Sequence, residues 1–297
     1  MNDIAMPKPD NLLQMPDRSP GYWQTVGQRF LRDKIAVGAA VVVLMLLMLA
    51  AFGPWLTPAD PYASSMLKRL KPIGFDGHPL GTDELGRDML SRLMVGARLS
   101  LFLGITPVVL AFGLGSLIGI TAGYAGGRTN SLMMRTIDVF YAFPSVLLAI
   151  ALSGALGAGI TNSLISLTIV FIPPIARVAE SVTTQIRGRD FVDAARASGA
   201  GAFTIVRVHV LGNVLGPIFV YATSLIAVSM ILASGLSFLG LGVKPPEPEW
   251  GLMLNTLRTA IYVQPWIAAL PGAMIFITSI AFNLLADGLR SAMEIKQ

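Results

Sequence analysis

The stretch GRDFVDAARASGAGAFTIVRVHVLGN, residues 188–213, decides how this chain is read. It lies between two apolar blocks, NSLISLTIVFIPPIA at 162–176 and VLGPIFVYATSLIAVSMILA at 214–233. From Arg177 to His209 the sequence carries eight formal charges: Arg177, Glu180, Arg187, Arg189, Asp190, Asp193, Arg196 and Arg207. Each costs roughly 2.5–3.5 kcal/mol at a bilayer centre, so placing them all in lipid costs on the order of 20 kcal/mol. The stretch therefore belongs in water between two membrane spans, where another protein is the natural thing for it to touch.

The rest of the chain has the matching composition. Of its 297 residues, 54% are hydrophobic and 13% charged, which is a membrane composition. A spanning helix needs about 20 apolar residues. Six blocks qualify, at 35–56, 97–123, 132–154, 160–179, 214–236 and 266–287. The chain is thus read as an all-α membrane protein with six transmembrane helices and both termini on one side. A polar tail of 34 residues precedes the first block, which reads as a retained anchor and not as a signal peptide. Zero cysteines exclude thiolate metal sites. The net charge of +5 is scattered over the inter-helix loops, which argues against nucleic acid as a partner. With the N-terminus in the cytoplasm, fourteen of the 22 Lys and Arg residues fall inside and eight outside, as the positive-inside bias prefers. Residues 188–213 are then cytoplasmic.

Other segments carry their own expectations. Pro7, Pro9, Pro16 and Pro20 make residues 1–20 a disordered start. Trp23, Val26, Phe30 and Leu31 share one helical face beside Arg29, Arg32 and Lys34, which suits a helix lying in the membrane interface. In the long outer loop, His78, Asp83, Glu84 and Asp88 raise the idea of a metal or catalytic site. Local pairing of Asp83, Arg87 and Asp88, with Gly81 and Gly86 at turns, is the simpler reading. Ala111, Gly115, Gly119 and Gly123 recur every four residues and form a smooth stripe for close helix packing, with a pathway lining as the alternative. Arg135 and Asp138, three apart, are expected to pair near the cytoplasmic boundary, either as architecture or as charges on a pathway. Pro245, Pro246 and Pro248 forbid regular helix, and Trp250 and Trp266 are assigned to an outer interfacial belt.

Within the central stretch, Asp190 is placed as a helix N-cap and Asp193 as the third residue after it. A short helix follows, and Gly199 is its left-handed stop. Gly201 lets the chain turn before a second helix begins near Phe203. Ala194, Ala195, Ala197 and Ala200 keep the first helix thin enough to enter a groove on a partner.

This stretch resembles the EAA loop of importer-type ABC permeases, whose pattern is Glu-Ala-Ala, three residues, Gly, nine residues, then Ile-x-Leu-Pro. Here Asp193-Ala194-Ala195 is followed after three residues by Gly199 and after nine more by His209-Val210-Leu211-Gly212. Asp for Glu is conservative, and Gly212 for Pro is a departure at which the bend is expected to persist. HPLGTDELGRDMLSRLMVGARLSL at 78–101 and LSFLGLGVKPPEPEWGLML at 236–254 are similar to the C-type permease subunit of dipeptide, oligopeptide and nickel ABC importers.

The resemblance implies a type I ABC importer permease fold in the bacterial inner membrane, with a cytoplasmic coupling helix. It assigns ATPase coupling to Asp193, Ala194, Ala195, Gly199, His209 and Leu211. It divides the chain into a cytoplasmic tail with an interfacial helix (1–34), a first span (35–56), a periplasmic loop (57–96), a type-1 transmembrane core (97–287) and a cytoplasmic tail (288–297). The implied partners are membrane lipid, a homologous B-type permease, two ABC ATPase subunits or domains, and a periplasmic or lipid-anchored solute-binding protein. No cofactor is expected on this chain, with ATP and Mg held by the ATPases. The sequence contains no G-x-x-x-x-G-K-[ST] loop to cradle a nucleotide. The solute is expected to be a peptide or a related small molecule.

Two other functions compete. An intramembrane serine protease built on Ser237 needs a histidine base, and the chain offers only His78 and His209, on opposite sides. An ion-coupled secondary transporter calls for several intramembrane ionisable groups and inverted repeats, which the sequence does not display.

Overall fold

The computed structural model describes residues 21–293, and the proline-rich start at 1–20 and the last residues, 294–297, lie outside the described residues. Along the chain run α1 (Tyr22–Arg32), α2 (Lys34–Leu56), α3 (Met89–Ala125), α4 (Gly127–Tyr141), α5 (Ser145–Leu156), α6 (Ile160–Arg187), α7 (Asp190–Ala197), α8 (Ala202–Ile205), α9 (Leu211–Phe238), α10 (Trp250–Thr256) and α11 (Pro265–Met293). Among the described residues, five helical segments are long and apolar enough to cross a membrane: α2, α3, α6, the run Ala202–Phe238 that ends in α9, and α11. The sixth expected span is broken. Helices α4 and α5 meet at 84° across Ala142–Pro144, and they count as one span only when taken together. Pro144 explains the break: it has no N–H to continue the ladder and keeps the residue before it out of helical geometry.

Several boundaries move outward from the hydropathy blocks. Helix α3 begins eight residues earlier than 97, because the Asp88 carboxylate accepts from the Ser91 N–H at 2.8 Å and caps the helix at Met89. Helix α6 runs past 179 to Arg187, so Glu180 and Arg187 sit on a helix and not in a loop.

The core is organised around α3. Ala111 is fully buried, and the glycines after it lie against the backbone of α6. A Cβ at Gly115 would stand 3.0 Å from the Ile172 carbonyl oxygen, and one at Gly123 would stand 2.8 Å from that of Glu180. One at Gly119 would strike the Ala176 carbonyl oxygen. The stripe therefore joins two helices of the same chain, and the absence of side chains is what lets the backbones approach. Helices α9 and α11 complete the bundle, with α2 along its edge against α3 and α11.

Helix α1 packs on α2 and α11. Of the face expected to lie in the interface, Val26 is buried and Phe30 half-buried beside Gly288, whereas Leu31 is exposed, and the Trp23 side chain lies outside the described residues.

The loop between α2 and α3 folds on an ionic cluster. Asp83 accepts from Arg87 Nε at 2.6 Å and lies 3.2 Å from Arg92 Nε, with all three side chains at most 6% exposed. His78 Nδ1 lies 3.0 Å from Asp88, so these carboxylates are spent on partners inside the loop. No group of three or more His, Cys, Asp or Glu side chains among the described residues is arranged to hold a metal. Trp250 does not join an interfacial belt. It is fully buried, with its indole N–H donating to the Leu93 carbonyl at 3.0 Å, and only Trp266 of that expected pair is exposed. The neighbouring Glu249 is also buried and caps α10 by accepting from the Gly251 and Leu252 N–H groups, both at 2.8 Å. Burial raises its carboxyl above the ordinary range, and these hydrogen bonds pull it back only in part.

Candidate coupling site

Helix α7 is a short helix between α6 and α8, and its two ends show why the sequence folds this way. Its N-cap is Arg189, so Asp190 is the first helical residue and not the cap expected of it. Asp190 and Asp193 still occupy the first turn, where negative charge meets the free amides. Asp193 also pairs with Arg196 at 2.9 Å on the exposed face.

At the other end Gly199 has φ +81°, the left-handed conformation that L side chains resist. The Gly199 N–H donates to Arg196 O at 3.0 Å and the Ala200 N–H to Ala195 O at 3.1 Å. These two bonds are a Schellman stop, and they occupy carbonyls that would otherwise be left without partners.

Three buried side chains tie this segment to the bundle. Val192 and Val210 are fully buried, and Ile205 nearly so, in one apolar cluster with residues of α6 and α9. Asp193 and Ala194 face water, with Ala195 half-buried. Phe191 and Phe203 flank this thin face and are themselves exposed, Phe203 at 79%. The alanine pattern did not single out these two aromatics, although an apolar Phe in a charged segment is a legible signal. His209 stands with its ring 6.3 Å from that of Phe191, and Leu211 is half-buried as the first residue of α9.

The chain does not bend at Gly212. A π-helical turn at Val206–Val210 passes directly into α9, with Val210 and Leu211 both in right-handed helical geometry. A proline at 212 would withhold an N–H, whereas glycine keeps its own, so the ladder widens upstream instead of breaking. The second helix and the span after it are thus one continuous element.

Arg135 and Asp138 do not pair with each other. Asp138 forms its ion pair with Arg177 of α6, and Arg135 points into solvent. The cross-helix partner was hidden from sequence because Arg177, at the end of the block 160–179, reads together with the charged stretch that follows it. Below this pair, Asn130 donates to Glu180 at 2.6 Å, which fastens the start of α4 to the same helix.

The structure also removes both histidines from Ser237. His209 lies roughly 42 Å of helix away at 1.5 Å per residue. His78 is engaged by Asp88 and by Lys68 at 3.3 Å. Ser237 itself is buried, and its Oγ accepts from the Val243 N–H.

A bundle of apolar spans with a backbone-stopped helix between two of them is the arrangement expected of an importer-type ABC permease subunit, and the comparisons with known proteins show that class. The chain belongs to the binding-protein-dependent transport system inner membrane component family, whose model matches residues 115–295. The N-terminal TM domain of oligopeptide transport permease C matches residues 21–72. The chain is 40% identical over 274 residues to the glutathione transport system permease protein GsiD of Pectobacterium atrosepticum, covering 92% of this chain and 91% of that one. It is 40% identical over 295 residues to the di/tripeptide transport system permease protein DppC of Pseudomonas aeruginosa, covering 98% and 96%. The permease in an inward-facing structure of the MetNI methionine ABC transporter superposes with a TM-score of 0.56 at 18% identity, covering 69% of this chain and 97% of that one. That likeness establishes the type I importer permease fold.

The chain is therefore a multi-pass, non-catalytic membrane subunit of an ABC importer. It works with a partner permease, an ATPase and a solute-binding protein.

Proposed function

We propose that this chain forms half of the translocation pathway for di- or oligopeptides or a closely related small solute, and that α7 is its docking helix for a cytoplasmic ATPase. The observation that carries the docking reading is the exposed Asp193–Ala194 face held by the Schellman stop at Gly199. A helix of eight residues with aromatics at both flanks fits a cleft and leaves little else to bind. Coupling is assigned to Asp193, Ala194, Ala195, Gly199, His209 and Leu211, with Phe191 and Phe203 added as flanking contacts. Val192, Ile205 and Val210 transmit the movement, because a displacement of α7 pulls on the cluster it shares with α6 and α9.

The partners in this reading are a homologous B-type permease, two ABC ATPases holding ATP and Mg, and a periplasmic or lipid-anchored solute-binding protein. Both termini face the cytoplasm of a bacterial inner membrane, residues 57–96 the periplasm, and 97–287 form the type-1 core. The Ala111, Gly115, Gly119 and Gly123 stripe acts inside the subunit, as a rigid seam between α3 and α6. The names of the full-length relatives support a peptide-type substrate.

The test is uptake of labelled di- and tripeptides by proteoliposomes carrying the whole complex and its binding protein. Transport that requires ATP and ceases when α7 is disabled supports the reading. Transport that persists without any ATPase contradicts it and favours an ion-driven carrier.

A further inference from the structure

The pair Asp138–Arg177 is not absorbed by the coupling site, and its surroundings are unusual for a membrane bundle. Both side chains are nearly half exposed, 47% for Asp138 and 46% for Arg177, and both sit on elements that take part in spanning the membrane. A charge facing lipid costs a few kcal/mol, so an ion pair left open on such helices faces water or another protein. Arg135, one turn before Asp138, is also exposed and adds a second positive charge to the same face.

A cavity of about 250 Å³ lies between the helix break and α6; its lining includes Phe140, Tyr141 and Phe143, which closely follow Asp138 in the chain, and Pro173 and Pro174, which closely precede Arg177. The chain breaks at Ala142–Pro144 on one edge of this cavity, and irregular backbone at membrane depth is tolerated where it is buried in protein or lines a water-filled cavity. A carboxylate and a guanidinium side by side, open to water and next to an aromatic hollow, match a zwitterion with an apolar body: ammonium to Asp138, carboxylate to Arg177 and Arg135.

We propose that Asp138 and Arg177 line the aqueous pathway and exchange partners with the charged ends of a passing zwitterionic peptide. This rests on the peptide reading above.

The experiment uses the complete transporter in membrane fragments and proteoliposomes, with dialanine as the probe. In Asp138→Cys, the thiol should react with membrane-impermeant methanethiosulfonates, the anionic reagent several-fold faster than the cationic one because Arg177 and Arg135 remain. Saturating dialanine under turnover should slow that reaction. In the isoelectric variant Asp138→Asn with Arg177→Gln, which leaves no orphan charge to disturb folding, dialanine uptake per ATP hydrolysed should fall at least tenfold while ATPase activity persists. Losing a charge-assisted contact of this kind is of that order.

Reaction only with a lipid-soluble maleimide, or with neither reagent, would overturn the placement. Labelling that dialanine does not slow, or unchanged uptake in the double variant, would overturn the solute contact. Failure of the wild type to take up dialanine would refute the peptide reading and the solute half of the proposal, while the labelling result decides the placement separately.

Discussion

Gly199→Val isolates the turn on which coupling is proposed to depend. Gly199 has φ +81°, and a Cβ added there meets nothing within 4 Å, so the substitution costs backbone energy without a steric clash. For an L residue in the left-handed region that cost is about 1–2 kcal/mol, with a β-branched side chain at the upper end. If docking requires this turn, the cost appears as a loss in ATPase affinity of roughly 5- to 30-fold. Gly199→Asn provides the internal control, because asparagine visits this region with a smaller penalty. Affinity of the purified ATPase for the permease in detergent, read by interferometry, should rank wild type, Asn, then Val. Thermal unfolding of the permease should shift little, since Gly199 is exposed and outside the apolar core. Val binding as tightly as wild type, or Asn binding as poorly as Val, would refute the reasoning.

Three further outcomes follow from the fold. Asp83→Asn leaves Arg92 a buried cation without its carboxylate and Arg87 held by Glu84 alone, and should cost about 3 kcal/mol in a detergent melt; a loss below about 1 kcal/mol would show the cluster to be dispensable. Gly119→Leu forces α3 away from α6 and should abolish accumulation in the membrane, whereas Gly113→Ala, whose Cβ meets nothing within 4 Å, should accumulate normally. Equal accumulation of the two would dissolve the seam. In this cysteine-free chain, single cysteines at the exposed positions Asp76 and Lys244 should react with impermeant labels from outside, and those at Thr129 and Ser198 only from inside; the reverse pattern would invert the topology.

Much of the architecture was legible because lipid leaves the backbone few options: apolar blocks must become helices, and charged stretches between them must leave the membrane. The helix stop at Gly199 was equally legible, since left-handed geometry selects glycine. What sequence concealed depends on tertiary neighbours. Arg177 falls at the end of the apolar block 160–179 and reads with the charged stretch that follows, which hid the partner of Asp138. An interfacial role for Trp250 followed from its flanks, but Ser100 and Leu93 of α3 offer hydrogen bonds to its backbone and indole N–H groups that only the folded bundle brings near. The 84° break between α4 and α5 was marked by Phe143-Pro144, a signal outweighed by the apolar run around it.

The central claim, that α7 is where the motor is engaged, is tested most directly by a cross-link. Ala194→Cys places a thiol on the exposed face of α7 without touching the buried anchors Val192, Ile205 and Val210. With a short photoreactive thiol reagent in native membranes, this position should yield an adduct containing one permease and one ATPase, and a cysteine at Lys244 should yield none. An ATPase that copurifies with the permease yet forms no adduct from position 194 would contradict the claim.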